Sequence, residues 1–115
     1  MESEKSKWPE GAKREVVLET GRILYLRDPK FSDMRQASQI GTNESGSLDP
    51  IVWICEMIQL MTLSLKRANG EDVDITNRAK FFDDILSFDE CQQLIQNPEI
   101  LGLSLKKNPP VVKVL

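Results

Sequence analysis

The sequence contains no histidine. That removes the commonest general base and the commonest metal ligand of proteins. Neither a Ser-His-Asp nor a Cys-His nucleophile can be assembled within this chain. Cysteine is nearly absent too. Cys55 and Cys91, far apart in the chain, make one disulfide possible without demanding it. They fall short of the ligand set a zinc site needs and are expected to serve as small buried hydrophobes. The glycines are few and scattered and form no phosphate-binding loop. Positive charge is not in excess. Fifteen Lys and Arg face eighteen Asp and Glu, the net charge is −3, and a nucleic-acid binder would need a basic surface instead. Lys5, Lys7, Lys13 and Arg14 read as solvated charge. No long apolar run occurs. The longest stretch, about residues 50–65, is interrupted by Glu56 and Gln59 and is too short to span a bilayer. The opening MESEKSKW is charged, with no apolar segment behind it, so no secretory signal is expected. The expected setting is a reducing cytoplasm, with no membrane partner.

Acids are plentiful but arranged without chemistry. Asp83, Asp84, Asp89 and Glu90 form one group, and Glu71, Asp72 and Asp74 another. Their spacing does not fit a Ca²⁺ loop, which needs acids at alternate positions, a glycine at the sixth and a glutamate at the twelfth. Asp89 and Glu90 fall in a first helical turn, where acids favour the helix dipole. Capping and solvation are the expected roles. No cofactor, metal or catalytic group is expected.

With 115 residues the chain is long enough for one domain with a modest core. The segments read as a polar arm over residues 1–12, a domain over 13–107 and an extended tail over 108–115. Trp8, a lone aromatic in the arm, either folds back onto the domain or docks on a partner. Val16-Val17-Leu18 and Ile23-Leu24-Tyr25-Leu26 are β-rich runs joined by Glu19-Thr20-Gly21-Arg22, a hairpin signal. Alternation places Ile23 and Tyr25 on one face and Leu24 and Leu26 on the other. A lone hairpin is marginal, so it must pack on a helix or be extended by another chain.

Lys30 to Ile40 has helical spacing, with Phe31, Met34, Ala37 and Ser38 on one face. Pro29 and Ser32-Asp33 compete as its start signal. Gly41 to Ser47 is a linker. The central helix follows, within Ser47 to Gly70. Asp49 is its N-cap, Pro50 takes the first helical position, and Asn69-Gly70 is read as its end, with Lys66 and Arg67 in the last turn. Trp53, Ile54, Met57, Ile58, Leu60, Met61 and Leu65 fall on one broad face. Val52 and Leu63 project among the polar residues, so the helix is expected to be covered on more than one side. Its methionines and tryptophan read either as core or as a peptide-binding groove around Trp53, Met57 and Met61.

Glu71 to Ile75 reads as a short extended segment with Val73 and Ile75 facing the same way. A short helix holds Ala79, Phe81, Phe82, Ile85 and Leu86. Ser87 and Glu90 form a capping box for a last helix containing Phe88, Cys91, Leu94 and Ile95, which ends at Asn97-Pro98. Beyond the breaker Pro109-Pro110, the segment Val111-Val112-Lys113-Val114-Leu115 is β-branched and alternating. It is expected to pair with this chain's own hairpin or with a neighbouring subunit, through Val111, Val112 and Leu115.

The order of elements and some local wording resemble phage tail assembly chaperones, small proteins encoded near the tape-measure protein of long-tailed phages. The resembling residues run from Val16-Val17-Leu18 through Tyr25-Leu26-Arg27-Asp28-Pro29 into Lys30-Phe31-Ser32-Asp33. They continue with the apolar central helix, Asn69-Gly70, Phe81-Phe82-Asp83-Asp84-Ile85-Leu86 and Ser87-Phe88-Asp89-Glu90. The resemblance covers about residues 13–97. The polar arm and the Pro-Pro-Val-Val tail have no counterpart in it. It implies no enzymatic activity, no cofactor and a protein partner, the tape measure or another tail protein.

The expected fold class is therefore α+β, an N-terminal hairpin followed by about four helices. The expected function is a non-enzymatic tail assembly chaperone. The alternatives are a structural subunit of a tail, baseplate or phage-derived contractile injection machine, and an unrelated small adaptor. The expected binding residues are Val52, Trp53, Met57, Met61 and Leu63, and self-association is a further possibility.

Overall fold

In a computed structural model of the chain, the structure describes residues 8–97 and residue 99. The elements are β1 (Arg14–Val17), β2 (Ile23–Leu26), α1 (Phe31–Gly41), α2 (Pro50–Met61), β3 (Thr62–Lys66), a 3-10 turn (Arg78–Lys80), a π turn (Phe81–Ile85) and α3 (Phe88–Gln96). The class is α+β, and the three strands form one antiparallel sheet in the order β1-β2-β3.

The hairpin forms where expected, with its first strand beginning two residues earlier and ending one residue earlier. Val17 pairs with Ile23. The Leu18 N–H bonds to the Arg22 carbonyl at 2.8 Å, and the Gly21 N–H returns to the Leu18 carbonyl at 2.9 Å. Gly21 has φ of +90°, a conformation that a Cβ would strain. Leu24 and Leu26 point into the core, as alternation requires. Tyr25 points to the other face and is nonetheless buried, because Trp8 folds back over it. The two rings lie 5.9 Å apart, and the Tyr25 hydroxyl donates to Glu15 Oε2 at 3.0 Å.

The central helix is shorter than its apolar pattern predicts. Asp49 caps it as expected, its Oδ1 accepting from the Ile51 N–H at 3.0 Å, and Pro50 is its first residue. It stops at Met61, where Thr62 turns extended (φ −70°, ψ 126°). Thr62–Lys66 then pairs with β2, Leu65 opposite Leu24 and Thr62 opposite Leu26. The run Thr-Leu-Ser-Leu-Lys alternates polar and apolar residues, which suits a strand. The free edge of β2 supplies the partner that makes the strand state win. The third strand thus comes from this chain, not from another one.

Asn69-Gly70 accordingly ends no helix. It makes the turn after β3, with Gly70 at φ +94° and its N–H on the Arg67 carbonyl at 2.8 Å. Lys66 and Arg67 lie at the end of a strand and cannot serve the helix dipole. That service comes from elsewhere in the chain. Arg27 donates to the Leu60 carbonyl at 2.7 Å, and Arg78 to the carbonyls of Gln59 and Thr62 at 2.5 and 3.1 Å.

Arg27 also forks onto Asp33 in α1, at 2.7 and 2.9 Å. Asp33 Oδ2 in turn accepts from the Lys30 N–H at 2.8 Å, so Asp33 is the third residue of α1 and closes its first turn. The core lies between the inner sheet face and the helices. It contains Leu24, Leu26, Leu65, Ala37, Ile54, Met57, Ile58, Met61, Phe81, Leu86 and Leu94.

Two expected core positions are filled differently. Phe31 and Phe88 are exposed, 72% and 74%, while Asp33 and Glu90 are buried in their helices. Each acid is two residues from its aromatic, which puts it on the opposite side of the helix, and each has an arginine partner that makes burial tolerable. The expected helix over 77–86 forms as the two tight turns, with Phe81 fully buried. Val73 and Ile75 both pack against the core, as their spacing predicts.

Candidate protein-binding site

The structure separates the residues expected to bind a partner. Met57 and Met61 are 0% exposed and belong to the core, so they line no groove. Their face of α2 is covered by α1 and the sheet. Leu63 is not on the helix at all. It is half-buried in β3, near Gly11 of the N-terminal segment, where the β2–β3 register slips between Tyr25 and Leu26. Val52, at the start of α2, is 38% exposed. Trp53 is half-buried, with its indole N–H donating to Ser38 Oγ of α1 at 3.2 Å. Val111, Val112 and Leu115 lie outside the described residues.

Exposed apolar surface gathers elsewhere, on the α1–α2 pair. Phe31, Ile40, Leu48, Ile51 and Val52 are five of the seven most exposed large apolar side chains among the described residues. The helices meet because a tight connection folds the chain back. Asn43 Oδ1 accepts from the N–H groups of Ser45 and Ser47 at 3.0 and 2.9 Å, and the Asp49 N–H bonds to the Gly41 carbonyl at 2.8 Å. Thr42 and Leu48 form an isolated bridge. This places Ile40 and Leu48 beside the first turn of α2, where Ile51 and Val52 project.

Gly41 lets the two segments approach closely at this crossing. A Cβ there would meet Leu48 Cδ1 at 3.2 Å and the Trp53 nitrogen at 3.4 Å. Along α1 runs an open groove of about 630 Å³, lined by Phe31, Met34, Arg35, Ser38, Gln39 and Thr42. The Arg35 guanidinium lies 5.6 Å from the Phe31 ring centre, a cation–π contact that holds the aromatic at the groove mouth.

Phe31, Ile40, Leu48 and Ile51 were missed as surface residues. Helical periodicity marks an apolar face without saying whether anything in the same chain covers it.

The acids make no chemical constellation. Lys66 pairs with Asp72 at 2.7 Å and Lys80 with Asp84 at 3.3 Å. Asp74 caps its own turn by accepting from the Thr76 N–H and hydroxyl at 2.9 and 2.7 Å. Among the described residues no three acids or thiols converge as a metal site would require. Both thiols are free and half-buried. Burial pushes the Cys55 thiol up to about 11, and Cys91, Asp49 and Glu56 add to the effect. Among the described residues no helix is long and apolar enough to cross a membrane.

Compared with known protein families, with curated proteins and with solved structures, the chain matches none.

Proposed function

We propose that this chain is a non-enzymatic tail assembly chaperone that holds an apolar helix of a phage tail protein, the tape measure being the expected one. The supporting observation is the concentration of exposed apolar side chains on the α1–α2 pair beside an open groove. An unpartnered apolar helix face is the ordinary receptor for another amphipathic helix. Phe31 would anchor the far end of that helix. Ile51 and Val52 would hold the near end, with Trp53 fixed behind them by Ser38. The partner would be released when the growing tail covers the same helix.

The test is co-purification with a tape-measure protein of a long-tailed phage, using the native sequence, Phe31→Ser, and the pair Ile51→Ser with Val52→Ser. Binding should fall at least tenfold in both variants. Mass spectrometry of purified particles should find the chain absent. Presence at fixed stoichiometry makes it a structural tail subunit instead. Undiminished binding by both variants removes the α1–α2 face as the site.

A further inference from the structure

The helix α1 meets solvent with a single charge. Its ionisable residues are Asp33 and Arg35. Asp33 is buried, and its carboxylate is occupied by Arg27 and the Lys30 N–H. Arg35 is exposed. Among the described residues its guanidinium meets no carboxylate, and its one contact is the Phe31 ring. Arg35 is also the only charged residue among the described residues that line the groove along α1.

We propose that the helix docked on the α1–α2 face carries an Asp or Glu one turn away from the apolar residue that packs on Phe31, and that Arg35 receives this carboxylate. The proposal rests on the reading of that face as a receptor for an apolar helix, and it specifies what the helix must contain.

The first support is the state of the guanidinium. Lying over Phe31, it offers the ring its face. Its N–H donors lie in its plane and stay available, two at a time, to a carboxylate. The contact with the ring also leaves the side chain less rotamer freedom to lose when a partner arrives.

The second support is spacing. Phe31 and Arg35 are four residues apart on α1, about 6 Å along its axis. A helix lying along α1 rises at the same rate. Two of its residues three or four positions apart therefore meet Phe31 and Arg35 in turn. The aromatic calls for an apolar residue and the guanidinium for a carboxylate. A Lys or Arg in the second position would set like charge against like beside an apolar contact, where water screens poorly.

A second copy of this chain fits the face poorly. Two α1 helices related by a two-fold axis at Gln36, the middle of the helix, bring both Arg35 residues to about 3 Å of each other along the axis. The acid of α1 cannot offset that repulsion, because Asp33 is buried against Arg27.

The experiment is selection from a displayed library of helical peptides against the immobilised native chain and Arg35→Glu. Each peptide carries a stripe of Leu, Ile, Met or Phe, and every residue type is allowed one turn from the central stripe position. The native chain should enrich Asp and Glu there about fivefold over Lys and Arg. Arg35→Glu should keep its thermal midpoint and reverse the preference, which mere loss of the Phe31 contact would not do. Recovery of peptides with no charge preference overturns the proposal and leaves the docking face in place. If no enriched peptide loses binding in Ile51→Ser with Val52→Ser, the face is no helix receptor and both readings fall. Sedimentation velocity supplies the last arm. A dimer of the native chain that separates in Arg35→Glu overturns the proposal, because a second copy is then the occupant.

Discussion

Arg22 at the tip of the hairpin and Glu90 in the first turn of α3 form a buried ion pair across 68 residues of sequence. Arg22 Nε donates to Glu90 Oε2 at 3.0 Å, and its NH2 nitrogen bonds both Glu90 Oε1 and the Ile85 carbonyl. The Thr20 hydroxyl and the Ser87 N–H donate to the same carboxylate. Glu90 is fully buried, so it closes the capping box of its own helix and, at the same time, locks that helix to the hairpin.

Acid should therefore weaken the protein in a defined window. Burial alone would raise the Glu90 carboxyl, but the bonds from Arg22, Thr20 and Ser87 outweigh it and hold the group at about 2, below the ordinary 4.5. A depressed carboxyl contributes stability that is complete above the ordinary value and lost as pH falls toward the folded one. The difference in thermal midpoint between native protein and Glu90→Gln should be largest above pH 4.5 and shrink toward pH 2. At neutral pH, Arg22→Met should cost about 3 kcal/mol, because it strands a buried carboxylate. Adding Glu90→Gln to Arg22→Met should recover part of that loss. A flat difference across the acid range would show that the pair carries no stability.

Core and surface residues of α2 should part cleanly. Met57→Ala should cost about 2–5 kcal/mol, since Met57 is wholly enclosed. Ile51→Ser together with Val52→Ser should stay within about 1 kcal/mol, as exposed changes usually do. Urea unfolding of both decides it. If the serine pair unfolds as readily as Met57→Ala, the first turn of α2 is structural and not a docking face.

Cys55 should be a sluggish thiol. With its protonation pushed up to about 11 by burial, it is almost wholly the unreactive thiol at pH 8. Iodoacetamide should modify it at least tenfold more slowly in the native chain than in urea. Cys91 is shifted upward as well, by burial first, then by Glu90 and Asp83, and should share that behaviour. Rapid native alkylation at Cys55 would mean that α2 opens readily.

The expected site was only partly legible, for a physical reason. Met57 and Phe31 carry the same kind of signal in the sequence, an apolar residue at helical spacing. One is enclosed and the other exposed because the sheet and α1 cover one side of α2, while among the described residues nothing comparable covers the outer side of α1. Leu63 was misplaced because five residues of alternating polarity fit a helix turn and a strand almost equally well.

By itself the sequence determined what local chemistry can complete. Asp49-Pro50 start a helix, Ser87 and Glu90 close a capping box, Gly21 admits a hairpin turn, and Leu24 and Leu26 share a face. Each needs only neighbours a few residues away. The tertiary structure alone decided the rest: that Thr62–Lys66 leaves the helix for the free edge of β2, that Arg27 and Arg78 cap α2 from outside, and that Glu90 is buried beside Arg22. These outcomes depend on partners brought together by folding, and a strand edge, a helix end or a buried charge is stabilised by whatever reaches it in space.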